Sequence, residues 1–241
     1  MIRNAVDKDD VMQPSKNKDF CTTLLSKFLS VRSVFRKQLS ATPLVHEYVD
    51  LGLSVKWATC NVGANTPEEY GDYYSWGDIE TKSNYNWETY CFNKGGKKND
   101  DVSFNKYNTE ERYGYIDSKI LLEPNDDVAH VKWGGNWRMP TKEELKELID
   151  NCSWKSTKYK RVLGYKVTSR KEGYKNCSIF LPAVGYRDTS CLYKVGYGCY
   201  WSCSLNSHNP DSAWLIELFS NNLFIDDDFR YYGFAVRPVC Q

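Results

Sequence analysis

Short runs of alternating apolar and polar residues fill the second half of the chain, and this period of two predicts β-strands. Turn-forming Gly, Pro, Asn and Asp separate the runs. Pro182 interrupts one run and places it at a sheet edge or a bulge. The predicted strands span residues 48–51, 54–59, 164–168, 178–187, 198–204, 213–219 and 234–239.

One helix is predicted from its own start signals. Thr141 and Glu144 form the pattern of a capping box, which predicts that the helix begins there. Leu145, Leu148 and Ile149 then recur at helical spacing and predict its buried side. The apolar spacing stops near residue 152, where we expect the helix to end.

Two stretches depart from this regular pattern. Residues 82–119 are polar and weakly periodic, and they predict a long insertion, outside the core, that borders a functional site. Residues 20–39 instead carry seven apolar side chains at helical spacing among basic residues. They predict a basic amphipathic helix that packs in its own domain or in a homo-oligomer; docking on a membrane surface is the alternative. Pro43 marks the boundary between an arm, residues 1–45, and a main domain, residues 46–241.

Charge adds little at the level of the whole chain. The net charge is +1, so we expect neither a nucleic-acid nor a membrane partner. The distribution is uneven, since residues 1–45 carry a net +4 and residues 205–235 a net −4. Eighteen Tyr and eight Trp are typical of compact, β-rich domains.

Cysteine usage and the N-terminus bear on location. Nine cysteines leave at least one thiol without an intrachain partner. We see no apolar signal segment and no lipid-attachment cysteine, so we expect reduced thiols and a cytoplasmic or phage-particle location. No apolar run has the length of a membrane span. Three His residues give no zinc-ligand spacing, and we expect neither a metal nor a cofactor.

The last fifth of the chain, residues 196–240, combines bulky, regularly placed residues with an irregular mixture of polar and aromatic ones. Alternation over residues 213–219 predicts that Leu215 and Phe219 face water. The following residues predict a loop that exposes further apolar side chains. Apolar groups on a loop-rich surface are typical of a binding site, and an ordinary core of hairpins is the alternative.

Six motifs in this order resemble the C-type-lectin-like domains of gut-bacterial proteins, in particular the formylglycine-generating-enzyme subtype of that fold. They are LGLSVKWATCNVGA, EEYGDYYSWGD, WGGNWRMPT, IFLPAVGYR, YWSCS and VRPV, and the resemblance covers about residues 47–239. It implies an α+β fold in which a twisted antiparallel sheet carries few helices and long loops. A C-terminal strand–loop–strand would display the ligand surface.

Two activities of the resembled families are not expected here. Enzymes of the subtype use a copper-binding cysteine pair, for which Cys199 and Cys203 are the nearest residues, but the surrounding sequence does not match the enzyme motif. Oxidase activity therefore stays only an alternative. Residues 123–125 spell the EPN triplet of calcium-dependent lectins. The triplet precedes the predicted helix and lacks the further oxygen ligands that Ca²⁺ needs, so we expect no calcium site.

A closer resemblance is to variable proteins diversified by retroelements, in which adenines of a C-terminal repeat are randomised, mostly in AAC codons. Such codons cannot yield Lys, Glu, Gln, Met or Trp. These five types make up 49 of 241 residues but are absent from residues 218–234. Cys203 stands where the family has the second Ser of YWSSS, one adenine change away. The resemblance implies a variable region at about residues 193–236 within a framework that includes Trp201, Trp214, Gly233 and Arg237.

The predicted function is ligand binding, or receptor recognition, through this hypervariable surface and without catalysis. A wide, mixed surface favours a protein ligand over a small molecule, and the acidic residues favour a basic patch on it. Calcium-independent binding of a carbohydrate is the alternative. The predicted contact residues are Tyr197, Cys199, Asn206, Ser207, His208, Asn209, Asp211, Leu215, Glu217, Phe219, Asn221, Asn222, Leu223, Phe224, Ile225, Asp226, Asp227, Asp228, Phe229, Tyr231 and Tyr232.

Overall fold

The computed structural model describes residues 46–95, 102–219 and 222–241. These residues form antiparallel sheets with two α-helices, so the predicted α+β class is confirmed. The predicted arm, with its helix over residues 20–39, and the predicted contact residue Asn221 lie outside the described ranges. No helix in these ranges is long and apolar enough to span a membrane.

The strands belong to four small sheets, with the orders β1–β2–β11, β3–β4–β5, β6–β7 and β10–β9–β8. In chain order they are β1 (Tyr48–Val49), β2 (Lys56–Ala58), β3 (Cys152–Tyr159), β4 (Val162–Ser169), β5 (Ser178–Pro182), β6 (Tyr186–Asp188), β7 (Cys191–Tyr193), β8 (Gly198–Leu205), β9 (Ser212–Phe219), β10 (Asn222–Phe229) and β11 (Val239–Cys240). The helices are α1 (Val128–Trp133) and α2 (Lys142–Asn151), and 3₁₀ turns lie at Glu111–Tyr113 and Pro124–Asp126.

Helix α2 begins and ends as its sequence predicts. The hydroxyl of Thr141 accepts a hydrogen bond from the Glu144 amide at 3.1 Å, and the Glu144 carboxylate accepts one from the Thr141 amide at 2.8 Å. This reciprocal pair satisfies two amides that no helical carbonyl can reach. Leu145 and Leu148 are buried, and Ile149 packs against the same core. The predicted capping box and buried side are therefore confirmed.

The sheet β8–β9–β10 separates the two clusters of the core. All eight residues of β8 are buried. Tyr200, Ile216 and Leu218 belong to one cluster, with α2, whereas Trp201 and Leu215 belong to the other. Leu215 is only 2 % exposed, so the prediction that it faces water is wrong. Alternation failed because both sides of β9 are covered at this point.

Four further predictions differ from the structure. Residues 234–239 were predicted as one strand, but of these only Val239 lies in a strand, β11. The residues predicted as a loop after β9 form β10, which pairs with β9 along its whole length. Residues 82–119 were predicted to lie outside the core, but Trp87, Tyr90 and Phe104 are buried in it. The predicted strand 178–187 is two strands, β5 and β6, separated after Pro182.

Candidate functional site

Arg230 fixes the chain just after β10 from inside the domain. Its guanidinium is fully buried and lies 4.3 Å from the ring centroid of Phe104. It donates to the carbonyl oxygens of Tyr107 and Pro210, at 2.9 and 2.8 Å, and to the hydroxyl of Tyr90 at 2.8 Å. Among the described residues no carboxylate pairs with it. Carbonyl dipoles and ring faces therefore compensate for the buried charge.

Arg237 and Trp201 fix neighbouring segments in the same way. The buried Arg237 donates to the carbonyl oxygens of Ala58 and Thr59 at 3.0 and 2.9 Å, and burial lowers its pKa. The indole N–H of Trp201 donates to the carbonyl oxygen of Tyr74 at 2.9 Å. Because these acceptors are backbone atoms, the bonds do not depend on the side chains of the accepting residues.

The other two residues of the predicted framework, Gly233 and Trp214, have different environments. A Cβ at Gly233 would lie 2.5 Å from Cε1 of Tyr85, so only glycine allows this close approach. Trp214, in contrast, is half-buried, and the Lys142 ammonium lies 3.0 Å from its ring centroid. Trp214 is therefore a surface cation–π partner and not a core residue.

Several predicted contact residues lie side by side on the sheet. In the register of β8, β9 and β10, Cys199 is opposite Glu217 and Glu217 is opposite Phe224. Asp226 follows two residues along β10 and therefore points the same way. Phe224 is 50 % exposed. Glu217, Phe224 and Asp226 thus lie on one side of the sheet. They are near the C-terminal end of β9, where Phe219 is the last residue.

A stacked pair and an ion pair border this group. The rings of Tyr197 and Phe219 stack with centroids 4.0 Å apart and planes 10° apart. Lys194, just before β8, donates to the Glu217 carboxylate at 3.2 Å and lies 5.1 Å from the ring centroid of Tyr197. This arrangement gives the surface one cation beside several carboxylates.

A band of tyrosines extends the surface. Tyr186 of β6 lies 5.8 Å from Tyr193 and 5.3 Å from Tyr232, measured between ring centroids. Tyr231 lies 4.5 Å from Tyr232 and stacks on Phe229 at 5.6 Å. The β6–β7 hairpin therefore joins the sheet surface to the segment after β10.

We call this combined surface the aromatic–acidic face. Its residues are Tyr186, Tyr193, Lys194, Tyr197, Glu217, Phe219, Phe224, Asp226, Asp228, Phe229, Tyr231 and Tyr232. Tyr186, Tyr193 and Lys194 were not among the predicted contact residues. The run of Leu192, Tyr193 and Val195, all exposed, could have indicated them, because apolar residues so close to turn residues are typical of a displayed hairpin.

Asp228 has an unusual environment on this face. Burial raises the pKa of its carboxyl to about 6, and the charges of Asp226 and Glu217 act in the same direction. The amide of Phe229, which donates to Asp228 at 2.9 Å, and the charge of Lys194 act against them. Asp228 therefore changes its charge close to neutral pH.

Three predicted contact residues are buried, which contradicts their assignment to an exposed surface. Cys199 and Leu215 are 2 % exposed, and Asn206 is 8 % exposed. Asn206 has a local structural role, since its side-chain carbonyl accepts from the His208 amide at 3.1 Å. Leu223 and Ile225, also predicted as exposed, are half-buried and pack against the core.

The turn between β8 and β9, residues 207–211, lies away from Phe219. The eight residues of β9 separate them, about 23 Å at the rise of an extended strand. The turn packs instead on residues 109–113: the Thr109 hydroxyl donates to the Ser207 carbonyl at 2.8 Å, and the Tyr113 hydroxyl donates to Asp211 at 2.8 Å. The predicted contact residues therefore divide into two groups.

The chemistry of the two late cysteines is that of buried thiols. Burial, reinforced by the Glu217 carboxylate, raises the pKa of Cys199 well above its ordinary value, and burial raises that of Cys203 to about 12. A thiol with such a pKa is a poor nucleophile and a poor metal ligand. In the described ranges, no group of three or more His, Cys, Asp or Glu is arranged to hold a metal ion.

Acidic side chains in and near the EPN triplet also form contacts within the domain. The Glu123 carboxylate pairs with Lys106 at 2.5 Å and with Lys119 at 2.6 Å. Asp127 is the N-cap of α1 and accepts from the Ala129 amide at 2.9 Å. These oxygens therefore stabilise the chain around α1.

Comparison of the chain with protein-family models, with curated proteins and with solved structures gave no match.

Proposed function

We propose that this protein is a non-catalytic ligand-binding protein, of the receptor-recognition type, and that its contact surface is the aromatic–acidic face. The observation that carries the proposal is the exposure of Phe219 and Phe224, at 44 and 50 %, on the side of the β8–β9–β10 sheet that also carries Glu217 and Asp226. Exposed aromatic side chains supply large contact areas at low entropic cost, as they do in antibody paratopes.

The shape and charge of this face favour a protein as the ligand. The face extends over β6, β9 and β10 and over the segment after β10, which is a broad surface and not an enclosed cavity. Three carboxylates, those of Glu217, Asp226 and Asp228, lie near a single lysine, Lys194, there. A partner with an apolar centre and a basic rim would match this distribution.

We further propose that the fold is C-type-lectin-like, of the formylglycine-generating-enzyme subtype, and that a retroelement diversifies the face. Antiparallel sheets, two helices and long irregular segments support the first part. The second part is supported by the framework. Arg230, Arg237 and Trp201 bind mostly to backbone carbonyls, so exposed residues between them can change without loss of these bonds.

A gene survey tests the diversification. The DNA around the gene is searched for a near-identical repeat of the codons for residues 193–236 and for a reverse transcriptase gene, and the gene is sequenced from many isolates. We expect changes at exposed positions such as Phe224 and none at Trp201 or Arg230. Changes spread evenly over exposed and buried positions, with no repeat in the surrounding DNA, would contradict diversification by a retroelement. The proposed binding surface would then have a fixed sequence.

Binding is tested separately with Phe224→Ala and a matched control, Tyr48→Ala. Tyr48 is 51 % exposed, on β1. The immobilised proteins are offered bacterial cell-surface proteins and, in a second assay, a glycan array. A protein retained by wild type and Y48A, but not by F224A, supports the proposal. Glycan binding with the same dependence on Phe224 would identify the carbohydrate alternative. Equal loss in both variants, or in neither, would place the binding site elsewhere.

A further inference from the structure

The β3–β4 hairpin and the chain that follows it carry a strong positive charge. Residues 152–175 contain eight Lys or Arg and one Glu, a net of +7, and all eight cations are exposed. The chain as a whole carries +1, so the remaining residues carry −6. The small net charge of the whole chain therefore does not indicate this basic surface.

Two of these cations lie directly opposite each other. Lys155 of β3 is opposite Lys166 of β4 in the antiparallel register, on the solvent side of the sheet. Like charges at opposite positions destabilise a strand pair. Neither lysine forms an ion pair within the described ranges, so an external anion would relieve the repulsion.

The turn at the tip of the hairpin keeps two more cations in an unfavourable conformation. Lys160 and Arg161 have φ values of 44° and 73°. Positive φ at both central positions is the type I′ turn, which favours Asn-Gly. Lys160 pairs with Glu68 at 2.8 Å, whereas Arg161 has no acidic partner among the described residues.

Apolar side chains flank this tip on both sides. Tyr159 is 43 % and Leu163 39 % exposed, and they project to opposite sides of the ribbon because Leu163 is opposite Lys158 in the register. Beside the tip, a recess of about 420 Å³ is lined by Tyr159, Phe180, Lys158 and Lys166 among others. The tip thus combines exposed apolar groups with surrounding cations.

We propose that the tip of the β3–β4 hairpin docks this protein on an anionic lipid bilayer, with Tyr159 and Leu163 in the interfacial layer and the surrounding cations against acidic headgroups. Apolar burial and attraction to anionic lipids act together in such docking. A nucleic acid would satisfy the cations but would leave Leu163 exposed, so the bilayer accounts for both features. The proposal is independent of the aromatic–acidic face.

The main test is sedimentation with vesicles of phosphatidylcholine that contain roughly one-third phosphatidylserine, against phosphatidylcholine alone. Binding is expected only to the anionic vesicles, and salt should weaken it. Lys160→Asn/Arg161→Gly introduces the residues that the turn favours, so this variant should unfold at the same or a higher temperature. Its vesicle affinity should nevertheless fall roughly thirty-fold, because two cations are lost.

The control variant Lys119→Ala/Lys146→Ala also loses two exposed cations, from other parts of the surface, and its vesicle affinity should change little. Leu163→Asn leaves the charge unchanged and should reduce vesicle affinity about ten-fold without changing binding to a single-stranded oligonucleotide; thermal unfolding confirms that it is folded. Equal affinity for neutral vesicles, or full affinity of the K160N/R161G variant, would overturn the proposal. Binding to the oligonucleotide without binding to vesicles would also overturn it, in favour of a soluble polyanion.

Discussion

The guanidinium of Arg230 lies over the ring of Phe104, with 4.3 Å between the guanidinium carbon and the ring centroid, and both side chains are buried. A permanent charge therefore lies in the core, next to the segment that follows β10. It is tolerated because its donors reach carbonyl oxygens and a hydroxyl in a fixed fork geometry. The segment after β10 depends on this contact for its position.

Replacement of this arginine by lysine tests that dependence. Arg230→Lys keeps the charge but leaves several carbonyl acceptors without a donor, so we expect a loss of about 2–4 kcal/mol in the free energy of unfolding. Arg112→Lys is the control, because Arg112 is exposed, and it should change stability by no more than about 0.5 kcal/mol. Denaturant titration measures both. Equal effects would show that the buried fork has no special role.

Tryptophan substitutions should separate the framework from the surface. Trp201→Ala removes a fully buried ring and should cost about 3–5 kcal/mol. Trp214→Ala removes a half-buried ring and should cost less, about 1–2 kcal/mol. Phe224→Ala should stay within about 0.5 kcal/mol, since its side chain is half exposed. Urea titration gives all three values. If F224A unfolds as easily as W201A, β10 belongs to the core and the proposed contact surface is wrong.

Asp228 should make stability depend on pH in a defined window. Its folded-state pKa of about 6 lies above its ordinary value of 3.8, so protonation favours the folded state. The contribution of the carboxyl to stability therefore decreases as the pH rises from about 4 to above 6. Asp228→Asn mimics the protonated form and should be at least as stable as wild type at pH 7, with the difference disappearing near pH 4.

The pKa itself can be followed by NMR titration of the Asp228 carboxyl. In Asp226→Asn the pKa should fall, because one neighbouring negative charge is removed. If Asp228 titrates at its ordinary value in wild type, the burial argument fails. A basic ligand on this face should bind more tightly above pH 6, where Asp228 is ionised.

Because Cys199 and Cys203 are buried, we expect their thiols to react slowly with a thiol reagent. In the native protein Cys191, which is exposed, should react with a thiol reagent, whereas Cys199 and Cys203 should react only after unfolding. Mass spectrometry of the labelled peptides assigns each thiol, and Cys191→Ser removes the reference signal. A copper(I) complex that requires both Cys199 and Cys203 in the folded protein would contradict this prediction and restore the oxidase alternative.

Local signals predicted some elements correctly because the information lies within a few residues. The capping box at Thr141 determines where α2 begins, whatever surrounds it. Strand β10 could not be predicted in this way, since Asn and three consecutive Asp residues have low strand propensity. Its pairing with β9 overrides that propensity.

The candidate site was predictable only in part for a related reason. Period-two alternation identifies two sides of β9, but it cannot show that a loop covers the outer side at Leu215 and leaves it open at Phe219. The covering residues come from 82–119, where aromatic side chains without a regular period fill the core. The basic hairpin was missed because its charge is cancelled elsewhere in the total.

The preference of the framework side chains for backbone acceptors has a consequence for evolution. A substitution at one exposed position leaves the hydrogen bonds of Arg230, Arg237 and Trp201 intact, so its effect on folding should be nearly additive with that of another substitution. Epistasis would then be confined to touching pairs such as Tyr197 and Phe219. A lineage that mutates many of these codons at once could therefore retain a folded product in most of its offspring.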